Sequence, residues 1–171
     1  MLFYKIPRIM VDGSLMLRPL RILDASFLTR GFKNEGILLI NLRNRSLIPL
    51  WLSTWWWTKR TFLPAYCIVQ DSKRIGFIGL YNLILGESAE VSLAIFEKDQ
   101  RRRGYGTRAF NLLLHNLQRY SVVKRIFVKV RRDNRSALFF WKRLGFRGVE
   151  NYNGVIEMSL DLEHHHVWFK T

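Results

Sequence analysis

Cysteine occurs once in the 171-residue sequence, as Cys67. A single thiol excludes an internal disulfide and a cysteine-based zinc site. It lies in "AYCIVQ", which reads as a strand and suits a small buried side chain better than a nucleophile. Long apolar runs are also missing: the longest, Ile75 to Gly86, is too short to cross a bilayer and contains Asn82. Pro7, Arg8, Asp12 and Gly13 interrupt the N-terminal stretch, which argues against a signal peptide. No membrane span and a cytoplasmic location are therefore expected. Repeats and low-complexity linkers are absent, so residues 1–171 are expected to form a single domain. Acidic residues are scarce, 13 Asp+Glu against 28 Lys+Arg, for a net charge of +15. That field repels a cationic substrate such as a polyamine and draws in anions: nucleotides, phosphorylated cofactors, RNA, acidic proteins or lipid head groups. With 49% apolar and 24% charged residues, the composition is globular rather than disordered.

The pattern along the chain is strands, helix, strand, helix, strands. "SLMLRPL" (14–20) alternates as a first strand and stops at Pro19. Asp24 is placed to cap a helix through "ASFLTRGF", and a second helical stretch runs from Gly36 towards Pro49. "AYCIVQ", "RIGFIGLYNLIL" and "AEVSLAIF" are separated by the turn-like "DSK" and "GES", predicting an antiparallel meander. In the third of these, Val91, Leu93 and Ile95 share one face, and Glu90, Ser92 and Ala94 the other. Phe110, Leu113, Leu114 and Leu117 then fall on one helical face. "RIFVKV" (125–130) follows as an apolar strand. Asp133 or Asn134 caps a helix through "RSALFFWKRL", which Gly145 stops, and a hairpin around Asn153-Gly154 closes the chain.

Between the third strand of the meander and the Phe110 helix stands "DQRRRGYGTR" (99–108). A strand that enters a helix through Gly-x-Gly leaves backbone N–H groups converging near the positive end of the helix dipole, an arrangement suited to phosphate oxygens. Gly104 and Gly106 let the backbone approach closely and take positive φ without strain. A dinucleotide fingerprint does not fit, because G-x-G-x-x-G is missing and the turn does not belong to a first βαβ unit. Downstream, "NRSALFFWKRLGF" carries Asn134, Ala137, Trp141, Gly145 and Phe146 at intervals of three, four, four and one.

These two segments, in this order, resemble the GNAT superfamily of N-acetyltransferases, and the likeness extends from "LRPL" to "GVIEMSLDL". It implies an α/β fold with a mixed six- to seven-stranded sheet, an antiparallel first half, helices on both faces and splayed central strands. It also implies acetyl-CoA as cofactor. The backbone of Arg101, Arg102, Arg103, Gly104, Tyr105, Gly106 and Thr107 would cradle its pyrophosphate. Ser92, Leu93, Ala94 and Ile95 would pair with the pantetheine amides. Asn134 would hold the pantetheine arm, with Ala137 beside it, and some of Arg101, Arg102, Arg103 and Arg108 would reach the 3′-phosphate.

Acetyl transfer to an amine requires loss of a proton from an ammonium of pKa about 10, a donor for the oxyanion, and a leaving thiolate. Glu90, at the start of "AEVSLAI", is the candidate base or water-positioner; a solvated carboxylate at a strand end is the competing reading. Glu87 is a second carboxylate in the preceding turn. Where the family usually has tyrosine, this sequence has Trp141, whose indole N–H donates a hydrogen bond but releases no proton at neutral pH. Tyr105 and Tyr152 are candidate substitute acids, with a structural role as the competing reading for each.

Trp51, Trp55, Trp56 and Trp57 crowd seven positions. Packing on the sheet accounts for any one of them; together Trp51, Trp55 and Trp56 are candidates for an acceptor-site wall. "NLRNRSLIPLWL" resembles relatives that acetylate amino-sugar nucleotides, while "AE…G-x-G…GF" is shared with ribosomal-protein N-terminal acetyltransferases. The expected partner is thus an amine acceptor that is anionic or RNA-associated. His164 to His166 carry no ligand spacing, and no metal is expected. The alternative to an enzyme is a non-catalytic coenzyme A or RNA/ribosome-binding module on the same fold.

Overall fold

The computed structural model describes residues 6–35, 64–152 and 154–163, with backbone alone for 149–152. Its elements are β1 (Met10–Asp12), β2 (Leu15–Pro19), a 3-10 turn (Ile22–Asp24), α1 (Ala25–Glu35), β3 (Ala65–Gln70), β4 (Lys73–Ile84) and β5 (Ser88–Ile95). A second 3-10 turn (Lys98–Gln100), α2 (Tyr105–Arg119), β6 (Arg125–Arg131), α3 (Arg135–Arg143), β7 (Arg147–Tyr152) and β8 (Val155–Asp161) complete them. The strands run in the order β1-β2-β3-β4-β5-β6-β8-β7. The mixed α/β class is as expected, but among the described residues the sheet has eight strands rather than six or seven. The short strand β1 had no counterpart in the sequence reading: three residues are too few to show an alternation, and Met10↔Leu17 to Asp12↔Leu15 pairing makes it a strand.

The chain divides into two compact units, Met1–Gly79 with Leu93–Leu112, and Leu80–Ser92 with Leu113–Thr171. In the first, β2, β3 and the beginning of β4 form an antiparallel meander, with Leu17↔Ile68 and Tyr66↔Ile78 among the paired residues. All six residues of β3 are buried. Phe27, Leu28 and Phe32 of α1 are buried as well, and the Phe32 ring meets Phe77 edge-on at 5.3 Å.

Asp24 does not simply cap α1 as its position suggested. Its carboxylate accepts from the Arg21 N–H at 2.7 Å and from both terminal nitrogens of Arg18, at 2.7 and 2.9 Å. A 3-10 turn precedes α1, so the carboxylate is drawn inward to the only basic group buried on β2. Burial opposes its charge, but Arg18, the Arg21 N–H and Arg74 outweigh that and hold the carboxyl below the usual range.

In the second unit, Ile126, Val128 and Val130 are buried while Lys129 and Arg131 are exposed, the period-2 pattern of a sheet with one covered face. Met158 and Leu160 of β8 and Leu113, Leu114 and Leu117 of α2 are buried too. Burying each such side chain contributes about 1.5–3 kcal/mol. A surface ion pair adds only about 0.2–1 kcal/mol, so the apolar alternation decides which face the charged residues of β6 occupy. Asn134, rather than Asp133, caps α3, its Oδ1 accepting from the Ala137 N–H at 3.0 Å. Among the described residues no helix is long and apolar enough to cross a membrane.

Candidate active site

In the first unit the end of β5 and the turn after it are fixed by close packing. A Cβ on Gly76 would overlap the Ala94 carbonyl oxygen, and one on Gly31 would overlap the Phe96 ring. Phe96 also meets Phe27 and Phe32 edge-on, at 5.3 and 5.4 Å, and its N–H donates to the Ile75 carbonyl at 2.8 Å. Arg101 folds back on the strand, donating from Nε to the Ile95 carbonyl at 2.8 Å. Arg108 points away from the turn: its Nε donates to Asp12 Oδ2 at 2.8 Å, and a terminal nitrogen to the Asp12 carbonyl at 2.6 Å. Two of the four arginines are therefore engaged in holding the turn, while Arg102 and Arg103 are exposed.

The turn itself is left-handed at Arg102 (φ 59°) and at Gly104 (φ 82°). Gly106 is different from what its spacing suggested: it is the second residue of α2 and has no positive φ, because the reversal is completed by Gly104 and Arg102. The first hydrogen bond into α2 runs from the Arg108 N–H to the Gly104 carbonyl at 3.0 Å. The N–H groups of Tyr105, Gly106 and Thr107 precede it and have no helical acceptor. A Cβ built on Gly104 meets nothing within 4 Å, so glycine there answers to backbone conformation and leaves open space beside the turn. That combination fits a phosphate group.

The second unit holds Glu90. The parallel ladder between β5 and β6 comprises Ser88↔Arg125, Ala89↔Ile126 and Glu90↔Phe127, and stops there. Glu90 thus stands at the last paired position of that ladder. Its Oε2 accepts from Asn82 Nδ2 at 3.0 Å and lies 3.3 Å from Lys129 Nζ, with side-chain exposures of 20% for Glu90 and 43% for Lys129. Asn82 has φ 44°, a left-handed kink inside β4. The kink breaks the strand's alternation, so adjacent residues reach the same side of β5: Asn82 bonds Glu90, and Tyr81 shares a side-chain hydrogen bond with Ser92. Burial, aided by the charge of Glu90, pushes the Tyr81 hydroxyl well above the ordinary phenol range, so it keeps its proton.

The other expected residues have less open settings. Trp141 is buried, with Phe140 and Phe146 edge-on at 4.9 and 5.0 Å. Asn134 commits its Oδ1 to the helix cap, and the Ala137 N–H is the donor it satisfies. Leu93, Ala94 and Ile95 are half-buried on β5, as is Tyr105 at the start of α2. Glu87 is exposed in the β4–β5 turn and accepts at its carbonyl from the Lys124 and Arg125 N–H groups. Tyr152 is the last residue of β7, opposite Val155. Trp51, Trp55, Trp56, Trp57, the helix expected from Gly36, and His164–His166 lie outside the described residues. Among the described residues no three His, Cys, Asp or Glu side chains are grouped to hold a metal.

Asn82, Lys129 and Tyr81 had no signal in the sequence, since each reaches the Glu90 and Ser92 face through strand register or a kink. Gly31 and Gly76 were equally silent, because only tertiary packing brings Phe96 and Ala94 against them.

Residues 37–146 match the model of the acetyltransferase (GNAT) family. No curated protein matches the chain. Among solved structures, RimL, a ribosomal L7/L12 alpha-N-protein acetyltransferase in complex with coenzyme A, is 17% identical. It covers 90% of this chain and 97% of its own, at a TM-score of 0.70. The N-acetyltransferase PseH of Campylobacter jejuni is 16% identical over 87% of this chain and 99% of its own, at 0.63. The microcin C7 self-immunity acetyltransferase MccE, in complex with acetyl-CoA and AMP, is 17% identical over 88% and 93%, at 0.65.

Proposed function

The chain belongs to the GNAT family of acetyltransferases, and on that footing we propose that it is a cytoplasmic, acetyl-CoA-dependent N-acetyltransferase acting on a primary amine. The acceptor is anionic or anion-associated, an amino-sugar nucleotide or a protein N-terminus. The observation that carries the reading is the turn from Arg102 to Thr107, left-handed at Arg102 and Gly104, with the first α2 N–H groups, which have no helical acceptor, beside open space. Solved neighbours with coenzyme A or acetyl-CoA bound support the cofactor, and the net charge of +15 supports an anionic acceptor.

In this reading the backbone N–H groups of Tyr105, Gly106 and Thr107 bind pyrophosphate oxygens, each charge-assisted bond contributing about 1.5–3 kcal/mol. Arg102 and Arg103, the two exposed arginines of the turn, face solvent where a further phosphate can be met. Arg101 and Arg108 position the turn rather than touch the ligand. The backbone of β5 after Glu90 supplies N–H and C=O groups to an extended amide-bearing arm, and one such N–H serves as oxyanion donor. Bound acetyl-CoA supplies the thioester carbonyl that an amine attacks. Glu90 takes the ammonium proton directly or through water, with Asn82 orienting the carboxylate. Tyr81, on the same side of β5, holds a proton that can be shared with a departing thiolate.

Titration with acetyl-CoA tests the binding half of the proposal. The coenzyme should bind, and Gly104→Val should weaken it much more than Arg102→Ala. The reverse ranking would assign the phosphates to side chains, and no binding at all would overturn the reading. A second reading, a non-catalytic coenzyme A or RNA-binding module, is favoured by one observation: the position where relatives usually have tyrosine is Trp141, buried between two phenylalanines.

A further inference from the structure

We propose that Lys129 is itself an acetyl acceptor, so that the protein modifies its own β6 strand; the proposal rests on the acetyltransferase reading above. Lys129 Nζ lies 3.3 Å from Oε2 of Glu90, the carboxylate assigned as base. Register explains the meeting. Glu90 is level with Phe127 in the parallel ladder, and Lys129 is two residues further along β6, on the Phe127 face and past the last paired position. Its amine therefore stands beyond the last paired position of the ladder, next to the carboxylate assigned as base. With a side chain 43% exposed, Lys129 is not locked in its ion pair and can turn from the carboxylate to an electrophile.

Lys124 supplies an internal contrast. It also pairs with a carboxylate, Glu163 at 3.5 Å, but it precedes β6 at the closed end of the ladder and is 70% exposed.

The step balances without an outside reagent. The Lys129 ammonium gives one proton to Glu90, the neutral Nζ forms a bond to the acetyl carbon, and the carbon–sulfur bond breaks. The second Nζ proton leaves with the coenzyme as its thiol. The products are an Nε-acetyl-lysine, a protonated Glu90 and free coenzyme A. Acetylation discharges Lys129 and ends its ion pair with Glu90, leaving Asn82 as the carboxylate's remaining described partner.

The experiment incubates the full-length protein with acetyl-CoA and no added amine, then locates acetyl groups by peptide mass spectrometry. Lys129 should be acetylated more than about tenfold faster than Lys124, because a held amine replaces a bimolecular encounter. The same incubation of Glu90→Gln should show that preference lost, and heat-unfolded protein should show none. Lys129→Arg keeps the ion pair and should abolish the amine-independent release of one thiol equivalent. An unmodified Lys129, or one modified no faster than Lys124 or than the unfolded chain, overturns the proposal. If thiol release with an added amine proceeds all the same, only the self-acetylation fails. If no lysine and no added amine is acetylated, the acetyltransferase reading fails with it.

Discussion

At the scale of single residues, the ion pair of Asp24 and Arg18 matters most to stability, with side-chain exposures of 1% and 9%. Removing one partner from a buried pair strands the other charge, at about 3–5 kcal/mol. Asp24→Asn should therefore lower unfolding free energy by roughly 3 kcal/mol in denaturant titration. The folded carboxyl titrates below its unfolded value, so its contribution is complete above the unfolded pKa of about 4 and is lost as pH falls through the lower folded value. Wild type should lose stability on acidification in that window, and Asp24→Asn should show a flatter profile there. Cys67 lies close by, its thiol pushed up to about 12 by burial and by the Asp24 charge. It should resist alkylation at pH 8 in the folded protein and react promptly in denaturant; rapid labelling of folded protein would contradict its burial. For the chemistry, Glu90→Gln should lower the rate at neutral pH by about 10²–10⁴-fold and recover in part as rising pH deprotonates the amine without help. A rate that does not change would remove Glu90 as base.

Among the elements, the packing of β5 against its glycines is the most sensitive joint. Gly31→Ala and Gly76→Ala each drive a methyl into Phe96 or the Ala94 carbonyl. Overpacking of this kind costs about 1–3 kcal/mol. Both variants should also weaken acetyl-CoA binding, because Arg101 of the turn is hydrogen-bonded to the end of β5. Melting temperature and titration on the same samples check this; a drop in stability with unchanged binding would separate the joint from the site. The longer elements were legible in the sequence. The antiparallel β3–β4 pair, α2 with its apolar stripe, a cap of α3 at Asp133 or Asn134 and the closing hairpin all announce themselves by periodicity or by a turn residue. What was not legible depends on a neighbour far along the chain. Asp24 looked like a cap because its buried partner Arg18 is on β2, and Lys129 looked like any exposed lysine because only the pairing of Glu90 with Phe127 brings its side chain to Glu90. Arg102 takes a left-handed conformation that its residue type does not advertise, and the role expected of Gly106 passes to it and to Gly104.

For the whole molecule, the net charge of +15 acts over a Debye length of about 8 Å at physiological salt. Raising salt should increase the apparent KM for acetyl-CoA while leaving the melting temperature nearly constant, since the core is apolar; a KM indifferent to salt would speak against electrostatic steering. On the proposal above, the protein transfers an acetyl group rather than only holding coenzyme A. Continuous detection of coenzyme thiol, with acetyl-CoA and a panel of amines from amino-sugar nucleotides to N-terminal peptides, tests it most directly. Many turnovers that depend on one class of amine, and that collapse in Glu90→Gln, are expected. Tight binding of acetyl-CoA with no amine-dependent thiol release would contradict the proposal.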